Sequence, residues 1–202
     1  MNFLGHSYLC IENEHLIAGN LAGDSYKGSL TKINHLPKHI RDGVKFHRFI
    51  DNFTDQSNQI KEVAHIFQAN GISKVAFIAC DILIDHYLAK NWNQYSVCEY
   101  EQFIYKIYSE VDDNIQFLET DFLFLYERMK EYGWFFQYRD ENRIEIILLQ
   151  FSNRLPFEND LGKCMKVFLE NIKVIESLFK TFLNDIRIAS DQFTLDNKLN
   201  IL

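Results

Sequence analysis

Proline and glycine are scarce, with two and eight in 202 residues. Sandwiches and barrels need frequent turns, so this shortage argues against them and favours long helices. The four cysteines, Cys10, Cys80, Cys98 and Cys164, are far apart and form no CxxC pair, which argues against a zinc ribbon or a redox dithiol. Each is read as a small buried hydrophobe in a reduced compartment. No stretch approaches the ~20 apolar residues that a membrane span needs. The first dozen residues lack a basic start and reach Glu12 before a long apolar run builds up, unlike a secretory signal. A cytoplasmic protein with no membrane partner is expected. There is no GxSxG elbow, GxGxxG or Gly-rich phosphate loop, and no cysteine lies beside a motif histidine, so nucleophilic serine or cysteine chemistry has no template.

Apolar side chains are plentiful: 47% of residues are hydrophobic and 15% aromatic, enough to place the chain among globular proteins. The length suits one domain, all-α, a helical bundle over residues 1–190 with a loose polar tail over 191–202. A net charge of −7 argues against nucleic-acid binding, but the charge is uneven. Lys27, Lys32, Lys38, Arg41, Lys45 and Arg48 face only Asp42 within their section, a local excess of +5. Between Glu99 and Glu145, twelve acids stand against five bases, so the overall acidity comes from there.

The apolar spacing predicts helices over 2–10 and 14–26, the second stopped by Gly28. Residues 29–36 are turn-like. Pro37 then opens a helix to Thr54, with Asp55 expected to cap the next, over 56–70. The most apolar segment, 73–92, is expected as a buried central helix. Ser96 and Glu99 make a capping box for the helix after it. An aromatic-rich stretch, 117–138, and a helix over 141–152 follow. A long amphipathic helix over 161–188 then carries Met165, Phe168, Leu169, Ile172, Ile175, Phe179, Phe182 and Ile186 as one stripe.

Residues i and i+4 share a helix face. Asn20 and Asp24, His47 and Asp51, and Asp81 and Asp85 are so related, so three helices each present polar side chains among apolar neighbours. Buried unpaired carboxylates and imidazoles are costly, and a metal centre inside a bundle is one way to compensate them. Oxygen donors with one or two imidazoles and no thiolate suit Mn²⁺ or Mg²⁺ before Zn²⁺. Such an ion activates water and polarises a phosphoryl oxygen, and Arg48 has the planar fork that binds phosphate. Together these describe a phosphoester hydrolase. His6 alone reads equally as a core histidine, Asp55 as a helix cap, and His15, His35, His39 and His65 as surface or linker residues.

These motifs resemble the bacterial acyl carrier protein phosphodiesterases. The matching text is Met1-Asn2-Phe3-Leu4-Gly5-His6, Gly19-Asn20-Leu21-Ala22-Gly23-Asp24 with Lys27-Gly28, and His47-Arg48-x-Ile50-Asp51 with Thr54-Asp55. It continues with Asp81-x-x-x-Asp85-His86-x-Leu88-Ala89 and Asn91-Trp92, and in the second half with Ser152-x-Arg154 alone. The chain departs from the pattern at Gly5, Gly23, Ser25 and Phe49. The last stands where a second base is usual, a loss that weakens phosphate or carrier contact more than metal binding.

The resemblance implies an HD-domain-like, Mn²⁺-dependent enzyme that removes 4'-phosphopantetheine from holo acyl carrier protein. It implicates Asp24, His47, Asp51, Asp81 and Asp85 as metal ligands and His6, Arg48 and His86 as catalytic groups. Asn20 and Arg154 are expected to bind substrate. So are Lys27 and Lys45 of the basic section, which complements an acidic carrier protein. Two other readings fit the residues: a phosphohydrolase of a small nucleotide such as a guanosine polyphosphate, and a non-catalytic helical binding protein.

Overall fold

The computed structural model describes residues 1–199, and among them there is no strand. Among the described residues eleven α-helices run in chain order: α1 Phe3–Leu9, α2 Ile17–Leu21, α3 Lys38–Gln56, α4 Asn58–Ala69, α5 Ala76–Lys90 and α6 Tyr100–Asp112, then α7 Thr120–Glu131, α8 Trp134–Gln137, α9 Glu141–Arg154, α10 Cys164–Glu170 and α11 Ile172–Asp196. None of the described helices is long and apolar enough to cross a membrane. The buried apolar side chains form one cluster from Met1 to Leu199.

Helix α5 is the axle. Eleven of its fifteen residues are buried, and it packs against α1, α4, α9 and α11. A helix surrounded on all sides needs no polar face, which is why 73–92 shows little alternation. The crossing of α2 over α3 positions the functional side chains. A Cβ on Gly43 would lie 2.5 Å from the Leu16 carbonyl oxygen, and one on Gly19 would lie 2.2 Å from that of Ile40. Only glycine lets the two backbones meet this closely, and the contact sets Asn20 and His47 in one layer.

The elements depart from expectation in instructive places. The segment 14–26 is not one helix: 3₁₀ turns at Glu14–Leu16 and Gly23–Ser25 flank the short α2, so Asn20 and Asp24 do not share a helix face. Asp55 lies inside α3, and Ser57 caps α4 by accepting from the Ile60 N–H. The Ser96–Glu99 box does not form, because Ser96 accepts from the Cys98 N–H instead. The 161–188 helix breaks at Asn171, whose side-chain amide donates to the Val167 carbonyl and competes with the helix ladder. Leu169 turns outward there. Of the expected tail, α11 takes in residues as far as Asp196, and the buried Leu199 accepts a hydrogen bond from His15. Residues 200–202 of the expected tail lie outside the described residues. His39 likewise bonds Asn114, so neither it nor His15 is a bare surface residue.

Candidate metal centre

Four elements converge on a small hollow. Helix α1 brings His6, α2 brings Asn20, the 3₁₀ turn after α2 brings Asp24, and α3 brings His47 and Asp51. The one-turn spacing of His47 and Asp51 works as expected: Nε2 of His47 lies 3.0 Å from Oδ2 of Asp51. Asp51 turns its other oxygen to His6, whose Nε2 is 3.2 Å from Oδ1. Asp24 approaches from the far side, 3.4 Å from His47 Nε2. Gly23 makes that approach possible, because a Cβ there would overlap the His47 ring. The two imidazoles stack with centroids 4.5 Å apart, and the ligand atoms of His6, His47 and Asp51 lie within 4.8 Å of one another.

Asn20 decides which face of His6 is free. Its amide nitrogen donates to the His6 carbonyl oxygen and to Cys10 Sγ, so its oxygen must face His6 Nδ1, 2.9 Å away. That oxygen is an acceptor, so Nδ1 carries the proton and Nε2 of the neutral ring presents a lone pair. Burial holds His6 neutral by lowering its pKa, against the pull of Asp51. A lone pair therefore faces a carboxylate oxygen, an arrangement that a cation between them resolves. His47 shows the same want of a partner. Both of its buried ring nitrogens lack an aligned hydrogen bond, although two carboxylates crowd Nε2. Burial pulls its pKa down, but Asp24 and Asp51 prevail and raise it to about 9. His47 in turn helps hold the Asp51 carboxyl well below the usual range, against the effect of burial.

Two imidazoles and two carboxylates around a hollow of about 60 Å³ fit a hard or borderline divalent ion and a few waters. Two more observations bear on identity. The family model described as acyl carrier protein phosphodiesterase matches residues 1–186. The chain belongs to that family. Curated relatives bearing that name include one from Salmonella agona (strain SL483), 29% identical over 157 residues, covering 77% of this chain and 80% of the relative. Another, from Enterobacter sp. (strain 638), is 28% identical over 183 residues, covering 90% and 93%. No solved structure matches the chain.

The other residues implicated by the family motifs lie elsewhere. Asp85 is fully buried and spends both oxygens on the start of α1, accepting from the backbone N–H groups of Asn2, Leu4 and Gly5. The first N–H groups of a helix have no partner within it, and Asp85 supplies one. Asp81, one turn earlier, pairs with the Met1 amine. The α5 acids thus anchor the helix that carries His6, and their oxygens are not in the His6–His47–Asp51 group. Burial raises the Asp85 pKa to about 7, against the opposing pull of the Met1 amine and the three N–H groups. His86 is also apart: Nδ1 bonds the Tyr138 carbonyl and its buried Nε2 has no hydrogen-bond partner. Arg48 donates to the Tyr26 carbonyl and so ties α3 to the loop after Asp24. Lys27 is exposed beside that loop, Lys45 donates to Asn197, and Arg154 ends α9 at the rim of a separate cleft.

Sequence reasoning missed the Asn20–Cys10 contact because Cys10 carries no motif signal. It missed the role of Asp85 because spacing along α5 does not say which neighbouring chain meets it.

Proposed function

We propose that this protein hydrolyses the phosphodiester joining 4'-phosphopantetheine to the serine of holo acyl carrier protein, with Mn²⁺ held by His6, His47, Asp51 and Asp24. The observation that carries the metal reading is Asp51 between two imidazoles, one presenting a lone pair by virtue of Asn20 and the other without an aligned partner. The substrate reading is supported by the family match and by the names of the curated relatives. When bound, such an ion supplies Lewis acidity and lowers the pKa of water.

The residues divide the work. Asn20 keeps the His6 proton on Nδ1, so His6 serves as a ligand and not as the acid for the leaving group. Arg48 sets the loop bearing Asp24 through its bond to the Tyr26 carbonyl. Asp85 and Asp81 hold α1, and with it His6, in place. The scaffold is read as HD-domain-like because histidine and aspartate on one helix, α3, meet a histidine from another. A cytoplasmic setting accords with the family's bacterial members and with a carrier-protein substrate.

The test is incubation of holo acyl carrier protein with the protein and Mn²⁺, followed by intact mass. Loss of the phosphopantetheine mass, abolished by EDTA and in His47→Ala, is expected. An unchanged mass with wild-type protein that binds Mn²⁺ would reject the substrate, and full activity of His47→Ala would reject the centre.

A further inference from the structure

The hollow at the metal centre offers only about 60 Å³, room for an ion and a phosphoryl group but not for what the phosphorus joins. Asn2, on its wall, also lines a second cleft of about 350 Å³ between α7, α8 and α9. That volume is in the range of binding sites for small ligands or anchoring side chains. Three arginines, Arg128, Arg143 and Arg154, line it with Tyr132, Trp134 and Phe151. Among the described residues the arginine ion pairs are those of Arg139 and Arg187, so none of these three has a carboxylate partner. Arg128 instead lies near the Phe124 and Tyr132 rings, at 5.9 and 5.8 Å from their centroids.

Arg128 and Arg143 lie in the most acidic section of an acidic protein, so two of the three uncompensated arginines oppose their surroundings. Exposed apolar side chains gather beside them, with Phe124 at 66% and Tyr132 at 52% exposure. Arginine and aromatic residues are enriched at protein-binding surfaces. The pantetheine chain beyond its phosphate is neutral and would leave the arginines unanswered. The basic section from Lys27 to Arg48, by contrast, is partly engaged within the fold: Lys38 pairs with Asp42, and Arg48 bonds the Tyr26 carbonyl.

We propose that the arginine cleft of α7–α9 receives an acidic surface of the protein substrate beside its modified serine, so that the phosphodiester reaches the metal centre past Asn2. The proposal rests on the carrier-protein reading above. Trp134 lines the cleft whereas Trp92 is fully buried, so tryptophan fluorescence reports occupancy without turnover.

Apo acyl carrier protein, which lacks the arm, is titrated into wild type and the Arg128→Glu/Arg143→Glu variant. Both replaced arginines are exposed, and circular dichroism checks the fold. Wild type is expected to bind with affinity that falls between 50 and 300 mM salt, on the order of tenfold. The variant should bind about tenfold more weakly and with a flatter salt response. For holo carrier protein KM should rise by the same factor with kcat within about twofold, and Mn²⁺-dependent hydrolysis of bis(p-nitrophenyl) phosphate should be unchanged. Arg128→Lys/Arg143→Lys should retain most of the affinity. Equal affinity and KM in wild type and the Glu variant would overturn the proposal. So would inhibition of wild type by free pantetheine that disappears in the Glu variant, because the cleft would then hold the arm. A wild type that binds apo carrier protein through the cleft yet releases no phosphopantetheine would reject the hydrolysis and leave the docking surface standing.

Discussion

Metal binding at this centre should release one proton, and that proton should come from His47. In the metal-free protein the Asp24 and Asp51 carboxylates outweigh burial and raise the His47 pKa to about 9, whereas burial keeps His6 neutral. A divalent ion needs the neutral imidazole, so at pH 7 it competes with a proton that is about 99% bound. Apparent Mn²⁺ affinity should climb roughly tenfold per pH unit from 6.5 toward 9 and then flatten, a span on the order of a hundredfold. Titration calorimetry at pH 7.5, in two buffers of different ionisation heat, should count about one proton per ion.

Stability without the ion should move the opposite way. The folded pKa of His47 stands above its unfolded value of 6.5, so its contribution is full below pH 6.5 and is lost as pH rises through 9. The contribution is about 3 kcal/mol at most, which should lower the melting temperature in EDTA across that interval. Binding that is flat from pH 6.5 to 8.5, with no proton released, would refute the assignment of His47 as a ligand.

Three further outcomes follow from single contacts. Asp85→Ala strips the acceptor from three backbone N–H groups at the start of α1, and should cost about 3 kcal/mol by urea melt even in EDTA. An EDTA melt equal to wild type would mean that Asp85 acts only as a ligand. Asn20→Ala frees His6 to carry its proton on either nitrogen, and should weaken Mn²⁺ binding about 10–100-fold by calorimetry. Unchanged affinity would show that Asn20 does not set the tautomer. Gly43→Ala forces a methyl against the Leu16 carbonyl and the Asn20 backbone nitrogen, and should destabilise by about 2–3 kcal/mol in chemical unfolding. A loss below about 0.5 kcal/mol would mean that the α2–α3 crossing is not tight.

The helical class and the main helices were legible because apolar periodicity is a local property. Helix α3 carries Ile40, Val44, Phe46 and Ile50 on its buried face, and the one-turn pairing of His47 with Asp51 follows from helix geometry alone. Helix breaks were less legible. At Asn171 a side-chain hydrogen bond competes with the ladder, and at 14–26 two 3₁₀ turns replace a continuous helix; neither disturbs the apolar pattern enough to show. The third pair, Asp81 and Asp85, has the same spacing as His47 and Asp51 but serves a different end, because the chain that meets it is the start of α1.

The sequence by itself determined the helical class, the residues available for a metal centre and the family resemblance, since composition, period and motif order are carried along the chain. Tertiary structure decided which acids meet which imidazoles, which nitrogen of His6 stays free and where three scattered arginines come together. Those outcomes depend on contacts between segments far apart in the chain, such as Asn20 with His6 and Asn2 with the α7–α9 cleft, and no local pattern encodes them.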